Sequence, residues 1–229
     1  MEVIQNADDN KYLEGEVPTV SITVSPKHVK IECNEEGFSR EKFQVLCRIG
    51  QSSQMPGQGY TGEKSIGFKS VFKLATRANK RSHSYFFQLD QRRDLGMITP
   101  KWDEDIFDDH EEAYKTTIML NHICDGLRKF STALETDVDA IDPVLLLFLR
   151  RIERLHVTLF KSSSDDEPAI SKHFRRVHWT PDSGIVSLKD EDTDTMRHFY
   201  KERFTVDFNG TESRRPGMIG TDIVLAFRC

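Results

Sequence analysis

The chain contains 229 residues, of which 37% are hydrophobic and 30% are charged, and its net charge is −5 at pH 7. This composition is typical of a globular protein, and the acidic balance without a basic block disfavours nucleic acid as a partner. The longest apolar run, VLLLFL at 144–149, is much shorter than the roughly 20 residues that cross a membrane, so no membrane partner is expected. The four cysteines show no paired spacing and no secretory signal precedes them, which favours reduced thiols in a cytoplasmic or nuclear protein.

The N-terminal part of the chain predicts a helix followed by a strand hairpin. Residues 1–9 predict a helix end, closed by a polar Asp-Asn-Lys segment. TVSITVS (19–25) and HVKIEC (28–33) alternate apolar and polar residues around a Ser-Pro-Lys turn, as half-buried strands do. Ser39 is a candidate N-cap for a helix in SREKFQVLCRI.

The remaining elements follow a long polar loop. GQSSQMPGQGYTGEK (50–64) is rich in Gly, Ser, Gln and Pro, which is typical of a loop. Two further helices are predicted, one from about Ser65 to Ala75 and one in IDPVLLLFLRRI at 141–152, with Pro143 in its first turn. Further strands are predicted at 84–89, 115–120, 154–160, 172–179, 183–189 and 221–227. Helices and strands in this mixed order predict an α+β fold, an α/β sandwich in which a mixed β-sheet carries helices on one face.

Three polar side chains share one face of the first predicted helix. Glu2, Asn6 and Asp9 are separated by four and three positions, so a helix places them on one stripe. An acid, an amide and a second acid in this arrangement could hold Mg²⁺, which prefers oxygen ligands, and could position a water molecule. The alternative is an ordinary solvated helix face.

Two later stretches have the composition of a ligand-binding turn. IECNEEGFS (31–39) runs from a strand into acidic residues and a glycine, so it could present acceptors to a base edge, although it also fits a plain strand-to-helix loop. GYTGEKSIGFKSVF (59–72) places Gly59, Gly62 and Gly67 before an apolar run. Consecutive backbone N–H groups ahead of a helix bind anions such as phosphate.

Together these stretches resemble the GHKL superfamily of Bergerat-fold ATPases, which includes histidine kinases and the ninety-kilodalton heat-shock chaperones. IQNADDN (4–10), NEEGFS (34–39) and GYTGEKSIGFKSVF (59–72) are most similar to the branch of NO VEIN and sacsin. The resemblance implies a Bergerat-type mixed sheet, with ATP and Mg²⁺ as cofactors. It implies an ATP-binding core at 1–135, with a shortened first helix, and a continuation of the sandwich or an associated β-rich segment at 136–229.

The resemblance also implies a role for each matching residue. Glu2 corresponds to the catalytic acid that orients the attacking water, and Asn6 to the amide that binds the metal. Thr116 corresponds to a strand threonine that supports the adenine end. The other implied nucleotide-binding residues are Asp9, Asn34, Glu35, Gly37, Gly59, Tyr60, Thr61, Gly62, Ser65, Ile66, Gly67 and Phe68.

The chain departs from the superfamily pattern at several positions. Where the superfamily reads the adenine amino group with an aspartate, this chain offers three residues between which alignment does not choose: Cys33, Asn34 and Glu35. Ser65 replaces a glycine of the phosphate loop, and Gln54 stands where the branch often has a lysine. The chain also begins inside the first helix, so we expect Glu2 to be poorly held and hydrolysis to be weakened or lost.

The resemblance therefore implies an ATP-binding domain, with Mg²⁺-dependent hydrolysis coupled to closure of a lid at 50–61 if turnover survives. The alternative is a catalytically degenerate scaffold that binds an unidentified protein partner or client. A third reading, a DNA-directed ATPase, is disfavoured by the acidic balance and would require salt-dependent DNA binding.

Overall fold

The structure is a computed structural model that describes residues 2–40, 70–97, 99–102, 116–123, 131–162, 167–180, 184–206 and 221–228. Within these ranges the α-helices are α1 (Glu2–Asp8) and α2 (Ser131–Asp139), and the 3-10 helices are η1 (Ser70–Lys73) and η2 (Pro143–Leu147). The strands are β1 (Thr19–Val24), β2 (His28–Cys33), β3 (Ala75–Ser82), β4 (Tyr85–Asp90), β5 (Lys101–Trp102), β6 (Thr116–Ile123), β7 (Arg154–Leu159), β8 (Ile170–Thr180), β9 (Ile185–Asp190), β10 (Thr195–Val206) and β11 (Thr221–Arg228).

These strands form one mixed sheet of 11 strands in the order β11-β10-β9-β8-β7-β1-β2-β6-β3-β4-β5. Strands β1 and β7 pair in parallel, and this ladder joins a strand near the N terminus to a strand in the second half of the chain. The other described pairs are antiparallel. A single sheet therefore runs through both halves of the chain.

The core lies on one face of the sheet, which we call the core face. Successive side chains of a strand point to opposite faces, so the buried Val20, Leu155 and Phe174 mark the core face through their cross-strand pairing. Ile4 and Ala7 of α1 and Leu146 of η2 belong to the same buried cluster. The short helices thus contribute a few side chains to a core that the strands mainly supply.

The predicted α+β sandwich with helices packed on one face is wrong, because the described residues form mainly one large mixed sheet with two short α-helices. The helix predicted at 141–152 is only the 3-10 helix η2, followed by a turn that leads into β7. The helix predicted at 65–75 is described only from Ser70, as η1, and β3 begins at Ala75. Strands β9 to β11 then extend the sheet as antiparallel hairpins.

No helix among the described residues is long and apolar enough to cross a membrane.

Candidate functional site

Hydrogen bonds join the end of α1 to the end of β2. The Tyr12 hydroxyl donates to the backbone oxygen of Ala7 at 2.9 Å and lies 3.0 Å from the Cys33 sulfur. The backbone N–H of Glu36 donates to the oxygen of Lys11 at 2.8 Å. Two of the stretches that resemble nucleotide-binding motifs therefore meet at one edge of the core face.

The third stretch that reaches this edge of the core face is the start of β6. Thr116 lies opposite Cys33 in the ladder between β2 and β6, and its hydroxyl is 2.7 Å from the Ser82 hydroxyl. The Ser82 oxygen also accepts a hydrogen bond from the backbone N–H of Phe38 at 2.8 Å. Thr116 is thereby linked to the turn that contains Gly37.

Gly37 has a backbone that only glycine adopts without strain. Its φ is +85°, and an added Cβ would lie 2.7 Å from Cδ2 of His83 and 3.1 Å from the Ser82 oxygen. Both the left-handed backbone and the close approach of the next strand therefore require glycine at this position.

An open pocket of about 440 Å³ lies beside this turn, and its lining includes Lys11, Glu36, Gly37, Phe38, Ser39 and His83. The Phe38 ring stacks on Phe87 with centroids 6.4 Å apart, and the Lys80 ammonium lies 3.9 Å from the Phe38 centroid. The pocket lining combines the Phe38 ring with the Lys11 side chain and the Ser39 hydroxyl, a combination that suits a planar polar ligand.

Two of the three candidates for reading adenine are engaged elsewhere. Burial raises the pKa of the Cys33 thiol to about 11, so this thiol is neutral at physiological pH. The side-chain oxygen of Asn34 accepts from the Thr19 N–H at 2.8 Å, and its amide nitrogen donates to the Val17 oxygen at 2.9 Å. Asn34 thus holds the segment before β1 in place.

Glu35 differs from these two residues because it retains an unused acceptor. Its side chain is only 2% exposed, and its Oε2 has no hydrogen-bond partner among the described residues. A buried carboxyl oxygen without a donor is costly, so Glu35 keeps a free acceptor, whereas the side-chain oxygen of Asn34 is already used.

Helix α1 places its polar residues differently from what the resemblance implies. Asn6 is half-buried, and Asp9 lies beyond the helix end and is exposed. The buried acid is instead Asp8, which is 6% exposed and accepts backbone hydrogen bonds from Arg150, Arg151 and Ile152 at 2.8, 2.7 and 2.9 Å. Sequence reasoning missed Asp8, although its spacing of four from the apolar Ile4 places both residues on one helix face.

Several implied site residues cannot be located in the structure. The predicted phosphate loop lies outside the described residues, as do Gln54 and most of the helix predicted after Ser39. No group of three acidic, His or Cys side chains in the described ranges could hold a metal ion. The single-ligand role implied for Asn6 stays a prediction, as do the roles of Gly59, Tyr60, Thr61, Gly62, Ser65, Ile66, Gly67 and Phe68.

These observations define a mainly β protein in which the turn after β2 lines an open pocket. Over 101 residues the chain is 39% identical to Protein NO VEIN of Arabidopsis thaliana, a match that covers 44% of this chain and 4% of that protein. The chain is thus similar to a small part of a much longer protein. No family model matches it. A crystal structure of the N-terminal domain of a DNA repair protein superposes with a TM-score of 0.42 at 12% identity, covering 74% of this chain and 51% of that one.

Proposed function

We propose that the chain is the ATP-binding domain of a GHKL-type ATPase in the cytoplasm or nucleus, with Mg²⁺ as the metal. The observation that supports this proposal is the meeting of three separate stretches at the end of β2. Tyr12 links α1 to Cys33, and Ser82 links Phe38 to Thr116. The segments implied to bind ATP therefore come together in the fold, although they are far apart in sequence.

The role proposed for each residue follows from the chemistry of its side chain or backbone. The Asn6 amide oxygen is a hard ligand for Mg²⁺, and the free Glu35 oxygen is an acceptor for the adenine amino group. Backbone N–H groups between Gly62 and Gly67 would hold the phosphates, and Glu2 would orient the attacking water if hydrolysis occurs. Bound Mg²⁺ would supply charge neutralisation at the phosphates.

Calorimetric titration with ATP, with and without Mg²⁺, tests the proposal on this chain and on Asn6→Ala. We expect Mg²⁺-dependent binding that Asn6→Ala removes. The matched control is Gln5→Ala, which changes an exposed side chain of the same helix and should leave ATP binding unchanged. A chain that is folded by circular dichroism but binds no ATP under either condition would contradict the proposal.

The adenine role of Glu35 has its own test. Glu35→Gln keeps the size of the side chain but replaces one oxygen with a donor, so ATP should lose affinity relative to GTP, which presents an oxygen at the same ring position. A ratio of ATP to GTP affinity that stays unchanged would remove Glu35 from the site.

A second candidate function, a protein-binding scaffold without turnover, is favoured by the engagement of Cys33 and Asn34. Ser65→Gly separates the two functions. If the phosphate loop is functional, glycine relieves a strain of about 1–2 kcal/mol and raises ATP affinity roughly tenfold. Undetectable binding in both forms supports the scaffold.

A further inference from the structure

Two arginines face each other on the side of the sheet opposite the core face. Arg154 of β7 and Arg175 of β8 are direct cross-strand partners. The neighbouring pair, Leu155 and Phe174, is buried on the core face, so the arginine pair points the other way. Like charges in directly opposed positions destabilise a sheet. A negatively charged partner is therefore needed to offset the repulsion between the two arginines.

No described residue supplies that partner. The Nε atoms of Arg154 and Arg175 are buried and have no hydrogen-bond partner, and no ion pair joins either guanidinium to an acid in the described part of the chain. Buried polar groups are normally paired, and an unpaired cation is more costly than an unpaired neutral group. The guanidinium groups of Arg154 and Arg175 thus have unused hydrogen-bond donors side by side.

A third cation continues the same row. Lys189 of β9 lies opposite Arg175, and adjacent strands are about 4.8 Å apart, so three cations cross three strands within roughly 10 Å. The Lys189 ammonium is 2.7 Å from Asp194, which is 84% exposed and is therefore well screened by solvent. We call Arg154, Arg175 and Lys189 the cationic row.

The side chains next to the cationic row do not neutralise it. His156 packs edge-on against His173 with centroids 4.8 Å apart. Burial, together with His173, lowers the pKa of His156, so this ring is neutral at physiological pH. Asp192 is bound to Nδ1 of His173 at 2.7 Å, and Glu191, which interacts electrostatically with His156 and Lys189, forms no ion pair with either arginine in the described part of the chain. The positive charge of the two guanidinium groups therefore remains available to a ligand.

We propose that the cationic row binds the dianion of a phosphate monoester. Guanidinium forks match phosphate oxygens in a bidentate geometry, and a group with a charge close to −2 neutralises both arginines, whereas a carboxylate would leave one unpaired. The site is separate from the pocket beside Gly37. Ser82, which binds the N–H of the pocket residue Phe38, pairs with Thr116, and Thr116 pairs with Cys33. Cys33 pairs with Val20 and Val20 with Leu155, so the turn beside the pocket lies on the core face and the cationic row on the other face.

Thermal unfolding of the full chain, with inorganic phosphate, glycerol 3-phosphate or acetate at equal ionic strength, tests the proposal. Both phosphates should raise Tm in a concentration-dependent way, because a ligand that binds the folded state stabilises it, and acetate should not. Arg175→Met and Arg154→Met should each lose this response. In phosphate-free buffer each variant should raise Tm by roughly 1–4 °C, because the opposed charge is gone.

The matched control is Arg93→Met, which removes an exposed arginine remote from the cationic row and should keep the full phosphate response. This control also separates site binding from the general stabilising effect of phosphate salts. An unchanged phosphate response in Arg175→Met would overturn the site. A response to inorganic phosphate without one to glycerol 3-phosphate would overturn the assignment to a monoester.

Discussion

Asp8 and Arg176 bind opposite polar groups of the same turn. The Asp8 carboxylate accepts the N–H groups of residues 150–152, and the Arg176 guanidinium donates to the backbone oxygens of Leu146, Leu149, Arg150 and Arg151. Both side chains are 6% exposed. An acid from α1 and a base from β8 therefore replace the hydrogen bonds that a continuous helix would have made in this segment.

Asp8→Asn should lower the free energy of unfolding by about 2–4 kcal/mol. The substitution removes the negative charge from three buried hydrogen bonds, and it places the NH₂ group of asparagine against backbone N–H groups, which are also donors. Urea unfolding followed by circular dichroism measures this loss. The adjacent Asp9→Asn is a matched control, since Asp9 is exposed, and it should change stability by less than about 1 kcal/mol. Equal effects at the two positions would refute the role of Asp8.

Asp8 and Arg176 should also be energetically coupled, since they support the same turn. Arg176→Met alone should cost about 3–5 kcal/mol, as expected when a buried cation's hydrogen bonds are lost. The double variant should be less destabilised than the sum of the single variants, by at least about 0.5 kcal/mol. A double-mutant cycle from urea unfolding measures this coupling, and strict additivity would show that the two residues act independently.

Gly37→Ala should be more destabilising than Gly15→Ala, although both glycines have φ near +86°. An added Cβ at Gly15 meets no atom within 4 Å, whereas at Gly37 it meets His83 and Ser82. The backbone cost of about 1–2 kcal/mol is common to both, and the contact adds about 1 kcal/mol or more at Gly37 alone. Parallel Tm measurements test this order, and only Gly37→Ala should also weaken ATP binding.

Cys33 should make stability fall at alkaline pH. Burial raises the pKa of its thiol from 9.0 to about 11, so between these values the unfolded chain releases a proton that the folded chain retains. The contribution is therefore fully present below pH 9 and is lost as the pH rises toward 11. Urea unfolding across this range should show a steeper decline for the wild-type chain than for Cys33→Ala. Parallel declines would assign the effect to other groups.

Most strands could be predicted from alternating patterns alone. The hairpin of β1 and β2 and the strands β4, β6, β7, β8, β9 and β11 were predicted within a few residues. Strands β3, β5 and β10 were missed, and in β3 and β10 residues such as Asn79, Lys80 and Lys201 are polar and yet buried. The Phe38 ring, for example, lies against the Lys80 ammonium, a contact that arises only in the assembled fold.

The failure at 141–152 has a different cause. VLLLFL has the composition of a regular helix, and Pro143 stands where a proline is expected in the first turn of one. In the structure, however, hydrogen bonds from Asp8 and Arg176, which come from distant parts of the chain, hold this segment. Local helix propensity does not include such long-range hydrogen bonds, so a helix was wrongly predicted here although most of the strands were predicted. In the candidate site, the sequence identified Gly37 and Thr116, but it could not separate the engaged Asn34 from the buried Glu35.

The parallel ladder between β1 and β7 also has a consequence for how the chain folds. It joins segments separated by more than half of the chain, and the bonds from Asp8 to residues 150–152 close the same long loop. Such distant contacts incur their loop-closure entropy before packing offsets it, so they form slowly. The antiparallel hairpins on either side need only local contacts, and docking of the two halves along β1 and β7 is therefore the step expected to set the folding rate.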